Sequence, residues 1–164
     1  MLKPRTLIPA AAAVALILVG AVFILPRMSA QVTVRAPEGF AEQRAKDGYK
    51  AVSPEGVLLR VRTARNYPKQ ELFFWKEALR AHLLDEGYHL LNDGEAFSAG
   101  VNEGVLYEWV LPYGQKDYIY LTAVIPAGRR IIIAEAAGEH TLFRKYSNAI
   151  HASLLTIKRR FSFS

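Results

Sequence analysis

From Leu7 to Leu25 the chain runs for 19 residues without a charged side chain. At 1.5 Å per helical residue such a run is about 28 Å long, close to the ~30 Å hydrocarbon layer of a bilayer. Pro9 falls in what would be the first helical turn, where a missing N–H costs nothing, and Pro26 falls where the helix should stop. Lys3 and Arg5 in front of the run also suit the basic start of a cleaved secretory signal. The run exceeds the roughly 7 to 15 apolar residues of such signals, however, and Met28 stands where a small side chain is wanted before Ala30. The expectation is a retained single-pass anchor. Flanking positive charge is nearly balanced, with Arg27 and Arg35 following the run, so orientation rests on the short leading segment staying inside. The expected location is a bacterial inner membrane, with the following domain on the periplasmic face.

This divides the chain into residues 1–30 as anchor and flanks, 31–157 as one small domain, and 158–164 as a basic tail. The formal charge of +6 invites a nucleic-acid reading. Between Gln31 and Ile157, though, the 15 basic residues are matched by 15 acidic ones. The excess is confined to Lys3, Arg5, Arg27 and Lys158-Arg159-Arg160, which makes no groove-sized basic face, so no nucleic-acid partner is expected. There is no cysteine, which excludes disulfides, thiolate metal sites, a cysteine nucleophile and cysteine lipidation.

Within the domain, Tyr49 to Ser53 and Val57 to Thr63 flank a Ser53-Pro54-Glu55-Gly56 turn and read as a hairpin. Leu72, Trp75, Leu79 and Leu83 recur at helical spacing from Gln70 to Glu86, with Gly87 as the stop. Four strands follow at Tyr88–Asn92, Val105–Leu111, Tyr118–Ile125 and Arg130–Ala136. The links between them carry Asn92-Asp93-Gly94, Pro112-Tyr113-Gly114 and Pro126-Ala127-Gly128, short enough to require antiparallel neighbours. Several strands are apolar on both faces, which calls for cover on both sides of the sheet. Arg60, Arg62, Glu108 and Glu135 are candidates for charge pairs across strands. A second amphipathic helix is expected over Glu139 to Ile157. The fold class is therefore α+β, an antiparallel sheet with covering helices, preceded by one transmembrane helix.

The stretch Ile131-Ile132-Ile133-Ala134-Glu135-Ala136-Ala137-Gly138, leading into Phe143, Tyr146, Ile150 and Ser153-Leu154, resembles the last strand and helix of the PsbP-like superfamily. The Ser53-to-Gly56 turn is similar to that family's N-terminal hairpin. The resemblance covers nearly all of residues 32–157 and implies an α/β/α sandwich. Unlike the lipoprotein members, this chain has no lipobox cysteine. It also implies a non-enzymatic accessory or assembly module that binds protein partners at a membrane.

Chemistry is sparse. His82, His89, His140 and His151 show no H-x-x-x-H spacing, so no metal is assigned. The sequence lacks G-x-S-x-G, S-x-x-K, P-loop and dinucleotide fingerprints, so no catalytic residue and no cofactor are expected. The candidate partner-binding residues are aromatic: Trp75, Tyr107, Trp109, Tyr113 and Tyr118. Alternating aromatics on strands also serve as core, and packing is the commoner use. The expected partners are the bilayer and a protein. The rival readings are a small-ligand or lipid binder with a pocket between sheet and helix, and a hydrolase whose Ser, His and carboxylate converge in a cleft.

Overall fold

The computed structural model describes residues 32–45 and 48–159. The expected membrane helix at Leu7–Leu25 lies outside the described residues. Among the described residues no helix is long and apolar enough to cross a membrane.

The elements are β1 (Val32–Thr33), β2 (Ala41–Gln43), β3 (Tyr49–Val52), β4 (Leu58–Arg65), α1 (Leu72–Asp85), β5 (His89–Leu90), β6 (Glu95–Ala99), β7 (Asn102–Tyr113), β8 (Lys116–Ala127), β9 (Arg130–Glu139), α2 (His140–Leu154) and β10 (Lys158–Arg159). One eight-stranded antiparallel sheet has the order β2-β3-β4-β9-β8-β7-β5, with β6 also pairing β7. β5 and β6 sit end to end along the same edge of β7, opposite Val110–Trp109 and Leu106–Asn102. The expected strand Tyr88–Asn92 therefore shrinks to His89–Leu90, and β6 is an addition. The cause is the end of α1. Gly87 N–H reaches Leu84 O at 3.1 Å and Tyr88 N–H reaches Leu83 O at 3.0 Å, the two bonds of a Schellman cap. That cap turns Tyr88 into the core beside Leu83, away from strand pairing.

Three two-residue turns join the long strands: Gly100-Val101, Gly114-Gln115 and Gly128-Arg129. Each glycine has φ between +63° and +67°, and among the described residues no non-glycine has positive φ, the signs a type II′ hairpin turn requires. The sheet thus has two well-defined ends. One carries Arg65, Ala127 and Arg130, and the other carries Leu58, Tyr113 and Glu139.

The helices cover opposite faces, giving an α/β/α sandwich. Phe143, Ile150 and Leu154 of α2 share a core with Leu59, Val61, Leu121, Ile125 and Ala134. Leu83 of α1, with half-buried Leu72, Trp75 and Leu79, packs over Tyr107, Trp109, Val124 and Ile131. α2 starts directly at the Glu139 end of β9, where Glu139 Oε1 accepts from Thr141 N at 3.2 Å, and runs back over the sheet. Residues 32–36 are strapped to its far end. Ser153 Oγ donates to Arg35 O at 2.5 Å, and Arg35 N donates to Thr156 Oγ1 at 2.8 Å. Lys158 and Arg159, which open the basic tail, pair with Thr33 and Val32 because buried Ile157 draws the chain inward.

Candidate functional site

The five aromatic candidates separate into core, latch and tip. Tyr107 and Trp109 alternate on β7 toward α1 and are wholly buried, which corrects the idea that they form an outer surface. Their rings lie 5.3 Å apart, and Trp109 Nε1 donates to Thr122 Oγ1 on β8 at 2.9 Å. Burial pushes the Tyr107 phenol above its ordinary pKa, so it stays neutral. Trp75 is half-buried on α1 and donates through Nε1 to Asn66 Oδ1 at 3.0 Å. Tyr113 and Tyr118 flank the Gly114-Gln115 turn with ring centroids 6.4 Å apart, and Tyr113 is 49 % exposed. Of the five, only Tyr113 is an exposed side chain at an outer tip.

Sequence reasoning did not single out Asn66, which is buried at the end of β4 and joins four segments. Its backbone N–H donates to Arg129 O at 2.9 Å, and its side-chain Nδ2 donates to Gln70 O at 2.9 Å and Gly128 O at 3.0 Å. Its Oδ1 accepts from Gln70 N as well as from Trp75. The 66–70 loop, the β8–β9 turn and the start of α1 are thereby fixed to one another. The only sequence signal was a polar residue just before Tyr67-Pro68, which is common in loops.

Under α1 the sheet carries a buried polar group. Arg62 Nε donates to Glu135 Oε2 at 3.1 Å, and Tyr120 Oη donates to Glu135 Oε1 at 2.8 Å. Burial, reinforced by the adjacent carboxylate, pushes the Tyr120 phenol well above its usual pKa. Of the candidate charges, Arg62 and Glu135 thus pair with each other, whereas Glu108 pairs with Arg144 of α2 at 2.8 Å. Next to this group lies an apolar cleft lined by Trp75, Ala78, Leu79, His82 and Ile133, with a volume of about 50 Å³. That admits water but falls far short of the ~300 Å³ of a small-ligand pocket. A larger hollow at the Arg130 end is an open groove rimmed by Arg65, Lys69, Arg129 and Arg130.

Catalytic geometry does not assemble around His151. His151 Nδ1 lies 3.4 Å from Ser147 Oγ but only 2.8 Å from Ser147 O. A carbonyl there requires Nδ1 to carry its proton and act as donor, so that nitrogen cannot serve as base to the serine. Among the described residues no cluster of three His, Cys, Asp or Glu side chains has the geometry to hold a metal.

No family model and no curated protein sequence matches the chain. Solved structures do. LpqN of Mycobacterium tuberculosis, involved in cell envelope biogenesis, aligns with a TM-score of 0.59 and 9% identity over 77% of this chain and 82% of its own. Cyanobacterial PsbP from Synechocystis aligns at 0.55 and 10%, over 81% and 95%. A Pseudomonas aeruginosa protein of unknown function aligns at 0.53 and 8%, over 83% and 88%. At these identities the likeness is one of fold alone, and the fold is PsbP-like.

Proposed function

We propose that the chain is a membrane-anchored, non-enzymatic accessory or assembly module, placed outside the cytoplasm, that acts through protein contact and needs no cofactor. The observation that carries this reading is the doubly covered sheet. With helices packed on both faces and a residual cleft of about 50 Å³, recognition falls to the outer surface. The uncharged Leu7–Leu25 run supports the anchor. The involvement of the structurally similar LpqN in cell envelope biogenesis agrees with a role beside a membrane.

The surface offered for a protein partner is the Tyr113 tip. An exposed tyrosine braced edge-on by Tyr118 supplies apolar area with little rotamer freedom to lose, as interface anchors do. The test places a photo-crosslinking amino acid at Tyr113 of the full-length chain in native membranes, with exposed Leu91 as the comparison site. A discrete adduct from position 113 and none from 91 is the expected result. Recovery of no adduct from 113, together with a small molecule or lipid that copurifies with the domain, would replace this reading with ligand binding.

A further inference from the structure

Most of the large apolar side chains that remain exposed gather at one end of the molecule. Tyr67 (90 % exposed) lies two residues past the end of β4, and Phe73 (75 %) and half-exposed Phe74 open α1. Val101 (97 %) caps the β6–β7 turn and Leu155 (67 %) ends α2. All sit at the Arg130 end of the sheet. Around them Arg65, Lys69, Arg129 and Arg130 rim one groove with Tyr67 and Pro68. Among the described residues the acids at this end are Glu71, paired with Lys69 at 3.2 Å, and Glu103. The Asn66 hydrogen bonds hold the contributing loops in one arrangement, so the surface is preformed.

We propose that this end of the sandwich docks onto the anionic headgroups of a lipid bilayer. Exposed aromatics among cations match the interfacial layer, where rings sit at headgroup depth and basic side chains meet lipid phosphates. A tether selects this occupant over an acidic protein. Val32 enters the core with Ile157, next to the end of α2 and thus at this same end. Seven residue steps separate Val32 from Leu25, which extended span at most about 25 Å. If Leu7–Leu25 spans the membrane, covalent reach alone keeps the Arg130 end near its surface, and the Tyr113 tip points away. The inference extends the anchored reading but rests on separate groups, so the two can fail separately.

The cysteine-free sequence makes the test direct. Val101→Cys and Gln115→Cys, both exposed positions in two-residue turns at opposite ends, each take one NBD fluorophore in the full-length chain. The labelled chains are reconstituted with phosphatidylcholine vesicles alone or mixed with phosphatidylglycerol. The expected result is blue-shifted, lipid-quenchable emission from position 101 in the anionic vesicles, reversed by high salt, with position 115 unchanged. Lys69→Gln/Arg129→Gln in the Val101→Cys background should lose most of that shift. Flotation with both vesicle types while position 101 stays in water overturns the docking surface and leaves the anchor standing. Flotation with anionic vesicles only overturns the anchor and still supports the surface. Flotation with neither overturns both.

Discussion

Arg62 on β4 and Glu135 on β9 form an ion pair of 3.1 Å across adjacent strands, with each side chain about nine-tenths buried. The pairing is diagonal, because Arg60 and not Arg62 stands directly opposite Glu135 in the register. Tyr120 supplies a further bond, so the carboxylate is held on both oxygens.

Removing one partner leaves an uncompensated charge beneath α1. Arg62→Met or Glu135→Met is expected to cost about 3–5 kcal/mol in urea unfolding. The double variant should recover much of that loss, because two apolar side chains incur no charge-desolvation penalty. Equal losses in the double and single variants would mean that Arg62 acts through packing and not through the pair.

Tyr120 predicts an alkaline limit. Its folded pKa is raised well above the ordinary value of 10.0, so the folded state holds a proton that the unfolded chain releases. The associated stability is complete below about pH 10 and declines as pH rises toward the folded value. Tyr120→Phe should flatten the stability profile above pH 10 while lowering the neutral plateau. An unchanged alkaline slope would remove Tyr120 as its source.

Much of this face was legible in the sequence. The alternation of Tyr107 and Trp109 marked β7, and Arg62 and Glu135 were recognisable as charges interrupting apolar strands. β2 and β6 escaped notice because Ala41–Gln43 is entirely exposed and Glu95–Ala99 is mostly so, leaving no apolar rhythm to read. The clustering of Lys69 with Arg129 was illegible for a different reason. Sixty residues separate them, the domain's charges cancel in any count, and only the strand register brings them to one end. Hub residues such as Asn66 act through backbone carbonyls, which carry no sequence signature.

Glu55 predicts an acid response. Its carboxylate accepts from Lys145 Nζ at 2.6 Å and Tyr146 Oη at 2.5 Å, tying the β3–β4 turn to α2. These bonds, Lys145 first, lower its pKa from 4.5 to about 2. The stabilisation is present above pH 4.5 and is lost as pH falls toward 2. A carboxyl NMR titration should place Glu55 near the lower value, and Lys145→Met should move the midpoint up toward the ordinary one. A midpoint insensitive to Lys145 would rule out the tie.

Gly104 predicts a steric limit at the start of β7. A Cβ built there would lie 2.6 Å from both Val124 O and Ile125 Cγ1. The first is backbone of the paired strand and cannot rotate aside. Gly104→Ala is expected to destabilise by about 1–3 kcal/mol as an overpacked position, despite its lower unfolded-state entropy. Urea midpoints decide it, and an equal or higher midpoint for the variant would show that β7 and β8 can part without loss.

The two helices should open at different rates. α2 buries Phe143, Ile150 and Leu154 completely, whereas Leu83 is the one fully buried side chain of α1, which also overlies the cleft. Each additional buried large side chain contributes about 1.5–3 kcal/mol, which is at least about tenfold in a local opening equilibrium. Amide hydrogen exchange should therefore show α1 opening ahead of the sheet while α2 opens with it. Ala78→Leu, which directs added carbons into the cleft and keeps a strong helix former, should raise protection across α1 and leave α2 unchanged. Matching protection in both helices would mean that the sandwich opens as one unit, with the cleft making no difference to how α1 is held.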